Sequence, residues 1–133
     1  MTMSYARSRY RQADAVGQPR IEDPHAVIAV TLTELERALA VLVAAQQAGR
    51  SMPGEPCTRA LTALYILQSS LDFEKGEDIA LGLFELYEYA RLQVLAAMRN
   101  TAEAKGLAAA HGAMGDILSA WREIAPAAKA GGA

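Results

Sequence analysis

Apolar residues recur at intervals of three and four residues in four segments of the chain. In the first segment the repeat is formed by Ile28, Leu32, Leu35, Leu39 and Leu42. Residues at this spacing share one face of an α-helix, so the pattern predicts an amphipathic helix. Asp23 as N-cap with Pro24 at the first helical position is typical of a helix start, and Gly49 indicates its end.

The second and third segments are separated by a turn predicted over residues 72–76. The second helix is expected to begin near Pro56, after a proline-rich loop. Its inner stripe is formed by Ala60, Leu64, Leu67 and Leu71. The third helix is expected to start near Glu77, because an acidic side chain suits the positive end of the helix dipole, and to end at Arg99 or Asn100.

The fourth segment is predicted to start at Thr101, whose hydroxyl can cap a helix, and to be limited by Pro126. Its apolar stripe is formed by Leu107, Met114, Ile117, Leu118 and Trp121. The glycines at 106, 112 and 115 each cost up to about 1 kcal/mol of helix stability relative to alanine. We therefore expect this helix to depend on packing, and the glycines to let another backbone come close.

These segments predict an all-α fold, an antiparallel up-down four-helix bundle over residues 23–124. Residues 1–22 are expected to form an N-terminal arm, partly disordered, that packs on the bundle, and residues 125–133 a frayed tail. The arm has a net charge of +2 and the rest of the chain a net charge of −4. Charge attraction would therefore draw the arm onto the bundle, with Tyr10 as its anchor.

Composition excludes several classes of protein. A formal charge of −2 and a pI near 5.7 argue against binding to bulk nucleic acid. The longest apolar runs, such as residues 38–45, are far shorter than the ~20 residues of a membrane span, so no membrane insertion is expected. The single Cys57 rules out an internal disulfide framework and is expected to be a small buried residue. No secretory signal is recognisable, and the cytoplasm is the expected compartment.

The third helix has more apolar surface than one core-facing stripe requires. Projection at 100° per residue places one set on a single face: Ile79, Leu83, Leu86, Tyr87, Ala90 and Val94. A second set lies on nearly the opposite face, interrupted by Glu88: Leu81, Phe84, Leu92 and Leu95. A second apolar row needs a cover, which could be the arm through Tyr10, a second copy of the chain or the helix of a partner. We predict that Tyr10 and the second set form a partner-binding surface.

The sequence favours neither catalysis nor a cofactor. Glu22 and His25 form one Glu-x-x-His motif, but a di-iron bundle needs two such motifs and two more inward glutamates. We therefore predict no metal site and expect His25 on the surface. Glu85 and Glu88 lie near Arg91 and are expected to be solvated charges, and Cys57 has no base placed to activate it.

A family resemblance rests on the turn between the second and third helices. Residues 70–76 read Ser-Leu-Asp-Phe-Glu-Lys-Gly, and Leu86-Tyr87-Glu88-Tyr89 follows in the next helix. Leu118, Ala120 and Trp121 close the last helix, and Asp23-Pro24-His25 opens the first. Over about residues 10–124 this pattern resembles the FliS-type flagellar export chaperones.

The resemblance implies a non-catalytic, cytosolic four-helix bundle that binds the disordered C-terminal segment of flagellin. Such a chaperone would prevent premature polymerisation and help present flagellin to the export gate, with its N-terminal segment lying over part of the binding surface. Two alternatives stay open: a divergent paralogue for another export substrate, and a homodimeric structural bundle. Phe73 is expected to pin the turn between the second and third helices, and Trp121 to lie in the core.

Overall fold

The computed structural model describes the backbone of residues 23–132 and the side chains of residues 23–124. The elements in chain order are α1 (Pro24–Gln47), α2 (Gly54–Ser69), α3 (Phe73–Arg99), a 3₁₀ turn (Thr101–Glu103) and α4 (Leu107–Gly132). All regular structure in this part of the chain is helical, which confirms the predicted all-α class. The predicted arm over residues 1–22, with Tyr10, lies outside the described residues.

The four helices form a closed ring in which each packs against two others. α1 contacts α2 and α4, and α3 contacts the same two helices. Trp121, late in α4, donates a hydrogen bond to the carbonyl oxygen of His25 at the start of α1, at 3.0 Å. Gln46, at the end of α1, meets the carbonyl oxygen of Ala104 just ahead of α4. α4 therefore runs back along α1, and the up-down antiparallel bundle is confirmed.

The core is built from the predicted stripes of α1, α2 and α4. Its largest fully buried side chains include Leu32, Leu35, Leu39, Leu42, Leu64, Leu67, Leu107 and Met114. Each buried leucine contributes about 1.5–3 kcal/mol relative to an exposed one. Cys57 is buried as predicted, and its burial raises the pKa of the thiol.

Two aspartates fix the starts of α1 and α3. Asp23 accepts hydrogen bonds from the backbone of the first turn of α1, as predicted. Asp72 accepts from the N–H groups of Glu74 and Lys75, each at 3.0 Å, so α3 begins at Phe73. The predicted turn over residues 72–76 consists of one capped helical turn, and the chain breaks at Glu77, with φ 45° and ψ −119°, where the third helix was expected to start.

The start of α4 also differs from the prediction. Thr101 belongs to the 3₁₀ turn, which the Asn100 side chain caps, and α4 begins only at Leu107. Gly106 therefore precedes the helix. A Cβ there would lie 1.8 Å from the Tyr89 hydroxyl, so the glycine makes room for a side chain rather than a backbone. The other two glycines of the segment, at 112 and 115, have no close neighbour that would meet a Cβ, contrary to expectation.

The end of α4 lies beyond the predicted limit. The helix passes Pro126 and continues to Gly132. The helix has one backbone hydrogen bond fewer at this point, because proline lacks the N–H that would bond the carbonyl four residues earlier. The predicted fraying of residues 125–133 stays a prediction.

His25 is not the surface group that the sequence predicts. Its ring stacks on Trp121 at a centroid distance of 4.3 Å, and its Nε2 is buried without a hydrogen-bond partner among the described residues. The indole also donates to the backbone of the same residue. Stacking of His25 on the Trp121 ring thus holds the start of α1 against the late part of α4. The position of His25 in the first turn of its helix did not indicate this contact.

Gln46 generates a stability prediction, because it ties the end of α1 to the connection before α4. Its amide donates to the carbonyl oxygens of Thr101 and Ala104, each at 2.8 Å. We expect Gln46→Met to lower the free energy of unfolding by about 1–3 kcal/mol, since it removes both donors. Urea denaturation followed by circular dichroism measures the change.

The matched control is Gln47→Met, since Gln47 is exposed at the adjacent position. This control should change stability by less than about 0.5 kcal/mol. Equal losses in the two variants would contradict a structural role for the Gln46 hydrogen bonds.

Candidate partner-binding surface

The buried face of α3 is narrow and made mostly of small side chains. Its buried residues are Ala80, Tyr87, Ala90, Val94 and Ala97. Burial raises the pKa of Tyr87 to about 12. Because three of these five residues are alanines, the larger apolar side chains of α3 lie to either side of the buried face.

The predicted second row of α3 lies on the side of α2. Its members, which we call the α2-side row, are Leu81, Phe84, Leu92 and Leu95. Leu81 and Leu92 are each 50% exposed and Phe84 is 36% exposed, while Leu95 is half-buried. The row is thus largely uncovered among the described residues, but its role in binding stays a prediction.

Two aromatic residues that the sequence analysis did not assign to this surface adjoin the row. Phe73 is 48% exposed and packs its ring edge against Phe84 at a centroid distance of 6.0 Å. The capped first turn of α3 places its ring on the outside, and its role in pinning the turn between the second and third helices stays a prediction. Tyr65 of α2 is also half exposed and lies one turn before Gln68, which bonds to α3.

A polar band interrupts the α2-side row at its centre. We give this name to Gln68, Glu88 and Arg91. Glu88 accepts from Arg91 Nε at 2.9 Å and from Gln68 Nε2 at 3.1 Å through one carboxylate oxygen, and from Arg91 Nη2 through the other. The hydrogen bonds from Arg91, followed by the one from Gln68, lower the pKa of Glu88 to about 2. The predicted proximity of Glu88 to Arg91 is confirmed, but the pair is more ordered than a freely solvated charge.

A second exposed row lies on the opposite flank of α3. Its members are Ile79, Leu86 and Tyr89, and we call it the α4-side row because the Tyr89 hydroxyl lies against Gly106. Ile79 is 75% exposed and Leu86 42% exposed, so their predicted place on the core face is wrong. Both lie at the edge of that face in projection, outside the narrow set of residues that α3 buries.

The described residues have no cluster that suggests a metal or a catalytic centre. No group of three or more histidine, cysteine or acidic side chains within this part of the chain could hold a metal ion. His111 and Glu36 meet at 2.8 Å, but they link α4 to α1 as an isolated pair. In the same residues, no helix has both the length and the apolar character to cross a membrane.

A four-helix bundle with two uncovered apolar rows on one helix has the features of a protein that binds other polypeptides. Comparison with known proteins gives the family. The family model described as flagellar protein FliS matches residues 3–128, so the chain belongs to the FliS family of flagellar secretion chaperones. These are non-enzymatic proteins.

Two curated relatives have the name flagellar secretion chaperone FliS. The protein from Salmonella typhimurium is 41% identical over 63 residues, which are 47% of this chain and 45% of that protein. The protein from Vibrio cholerae is 28% identical over 118 residues, which cover 88% of this chain and 86% of that protein. No solved structure matches the chain.

The polar band generates a prediction on ionisation. Because the folded state lowers the pKa of Glu88, the band stabilises the fold above the ordinary carboxyl pKa of 4.5, and this contribution is lost as the pH falls towards 2. We expect carboxyl-carbon NMR to give a Glu88 midpoint near pH 2. The midpoint should rise strongly in Arg91→Met and less in Gln68→Leu. A wild-type midpoint at the ordinary value, or one that Arg91→Met leaves unchanged, would contradict the pairing.

Proposed function

We propose that this chain is a cytoplasmic chaperone that binds the disordered C-terminal segment of flagellin. Binding would prevent premature polymerisation and aid export. The observation that carries the proposal is the α2-side row, in which large apolar side chains remain exposed on a helix whose buried face already packs in the core. Membership of a family of flagellar secretion chaperones supports an export substrate as the partner.

The shape of the surface suits a helix. Leu81, Phe84, Leu92 and Leu95 follow one side of α3 beside α2, and a parallel or antiparallel helix would cover them along their length. Exposed apolar rows of this kind accept the apolar face of an amphipathic helix. The flagellin segment would therefore fold as it binds.

Coupled folding sets a requirement on the extent of the contact. Ordering a disordered segment consumes about 2–5 kcal/mol or more of the interaction energy. The α2-side row with Phe73 and Tyr65 offers a long contact, and the α4-side row offers a second one across α3. A segment that follows both rows would meet the requirement more readily than one that covers a single row.

The N-terminal arm is proposed as a competitor for the same surface. The arm has a net charge of +2 and the rest of the chain a net charge of −4, so attraction favours its return to the bundle. Tyr10 would then occupy part of the α2-side row until flagellin displaces it. The export gate is proposed as the later partner that receives the loaded chaperone.

The same tests distinguish two alternatives to a flagellin chaperone. A divergent paralogue would bind another export substrate in place of flagellin. A homodimer would bury the exposed rows between two copies, and sedimentation velocity would then give a mass that rises with concentration in the absence of any partner.

Phe84→Glu tests the surface directly. A charge at this half-buried position should abolish binding of the flagellin C-terminal segment, because the bound helix would have to desolvate it. Isothermal titration calorimetry should give one segment per wild-type chain with a negative heat-capacity change and no measurable heat for the variant. Helicity and melting temperature should remain near those of the wild type.

The matched control is Val41→Glu, which places the same charge at an exposed apolar position of α1. This variant should bind like the wild type. Equal loss of binding in both variants, or unfolding of Phe84→Glu, would contradict the assignment of the α2-side row. Absence of binding by the folded wild-type chain would remove flagellin as the partner.

A further inference from the structure

The polar band divides the α2-side row into two apolar halves. Leu81 and Phe84 form one half, and Leu92 and Leu95 form the other. The midpoints of the halves are about 11 residues apart, which is about three helical turns or about 16 Å. Glu88 lies between them on the same side of α3, so a helix that contacts both halves must pass over the band.

The hydrogen bonds within the band use most of the acceptor capacity of Glu88 and leave donors of Arg91 available. The carboxylate of Glu88 already accepts from Arg91 twice and from Gln68 once. A guanidinium has five N–H groups, and two of those of Arg91 point to Glu88. The remaining three have no hydrogen-bond partner among the residues that the structure describes, and the Arg91 side chain is 39% exposed. The band therefore presents N–H donors to whatever covers it.

An apolar side chain over the band would remove water from these donors without replacing its hydrogen bonds. A buried donor left unsatisfied costs about 1–3 kcal/mol, and more for a charged group. An oxygen acceptor at the same position would instead form a charge-assisted hydrogen bond with Arg91. An apolar side chain over the band therefore weakens binding, whereas a side chain with an oxygen acceptor strengthens it.

We propose that the band selects its partner: the surface binds a substrate helix whose apolar face is interrupted midway by a side chain with an oxygen acceptor. Glu88, which also accepts from Gln68, holds the guanidinium of Arg91 in place, and Arg91 contacts the acceptor. The inference rests on the proposed function only in that the occupant is a helix of the export substrate. The selectivity belongs to this chain and can be measured without flagellin.

The test uses two synthetic amphipathic peptides that differ at one residue. Both have two leucine pairs whose midpoints are about 11 residues apart, and the residue midway between them is Gln in one peptide and Leu in the other. We expect the wild-type chain to bind the Gln peptide about tenfold more tightly, as measured by calorimetry. The double variant Glu88→Leu, Arg91→Leu, which makes the row continuous, should prefer the Leu peptide.

A matched control removes an ion pair from another place. Glu55 and Arg59 form a comparable i,i+4 pair on α2 at 3.1 Å, and the variant Glu55→Leu, Arg59→Leu should keep the wild-type preference. Circular dichroism and sedimentation monitor folding and self-association. If the double variant Glu88→Leu, Arg91→Leu unfolds or self-associates, the double variant Glu88→Ala, Arg91→Ala replaces it and should abolish the preference for the Gln peptide.

The outcomes separate this inference from the proposed function. Equal affinity of the wild-type chain for the two peptides, no binding of either, or an unchanged preference in the band variant would overturn the selective role. If the peptides are discriminated as expected but the flagellin segment does not bind, the band's role stands and the proposed partner is wrong. If the flagellin segment binds but the band variant leaves the peptide preference unchanged, the proposed partner stands and the selective role of the band is wrong.

Discussion

The narrow, alanine-rich buried face of α3 is the constraint on which the surface of this protein depends. Ala80, Ala90 and Ala97 fill little volume, so only Tyr87 and Val94 add bulk to the core from the buried face of α3. The leucines and aromatic residues of α3 are consequently left on the two flanks. The core gains its stability mainly from the leucines of α1, α2 and α4, which frees α3 to present apolar side chains to a partner.

The same constraint explains how far the sequence could be interpreted. The periodic leucines of α1 and the Asp23–Pro24 start predicted the bounds of that helix closely. A single strong apolar stripe also allows only one face of the helix to point to the core. In α3 two stripes compete, and projection alone could not show which edge residues fall outside the core. Ile79 and Leu86 were misplaced for this reason, whereas Leu81 and Leu92 lay far enough from the buried face to be recognised as a separate row.

Local hydrogen bonds account for the other differences. The Asp72 cap makes the predicted turn over residues 72–76 helical, and Glu77, with a positive φ, interrupts the helix directly after it. The pairing of Gln68 with Glu88 joins residues on two helices, so no spacing along the chain could have revealed it. The polar band therefore became visible only when both helices were placed.

The stacking of His25 on Trp121 has an optical consequence. Trp121 is the single tryptophan of the chain, and it lies where α1 meets α4, on the side of the bundle away from the groove between α2 and α3. Intrinsic tryptophan emission therefore monitors the start of α1. Tyr65 on α2 and Tyr89 in the α4-side row, by contrast, are both exposed near the proposed binding surface. If a ligand binds at the α2-side row and changes the indole emission, the change would report an effect transmitted to the start of α1 rather than contact of that ligand with the indole.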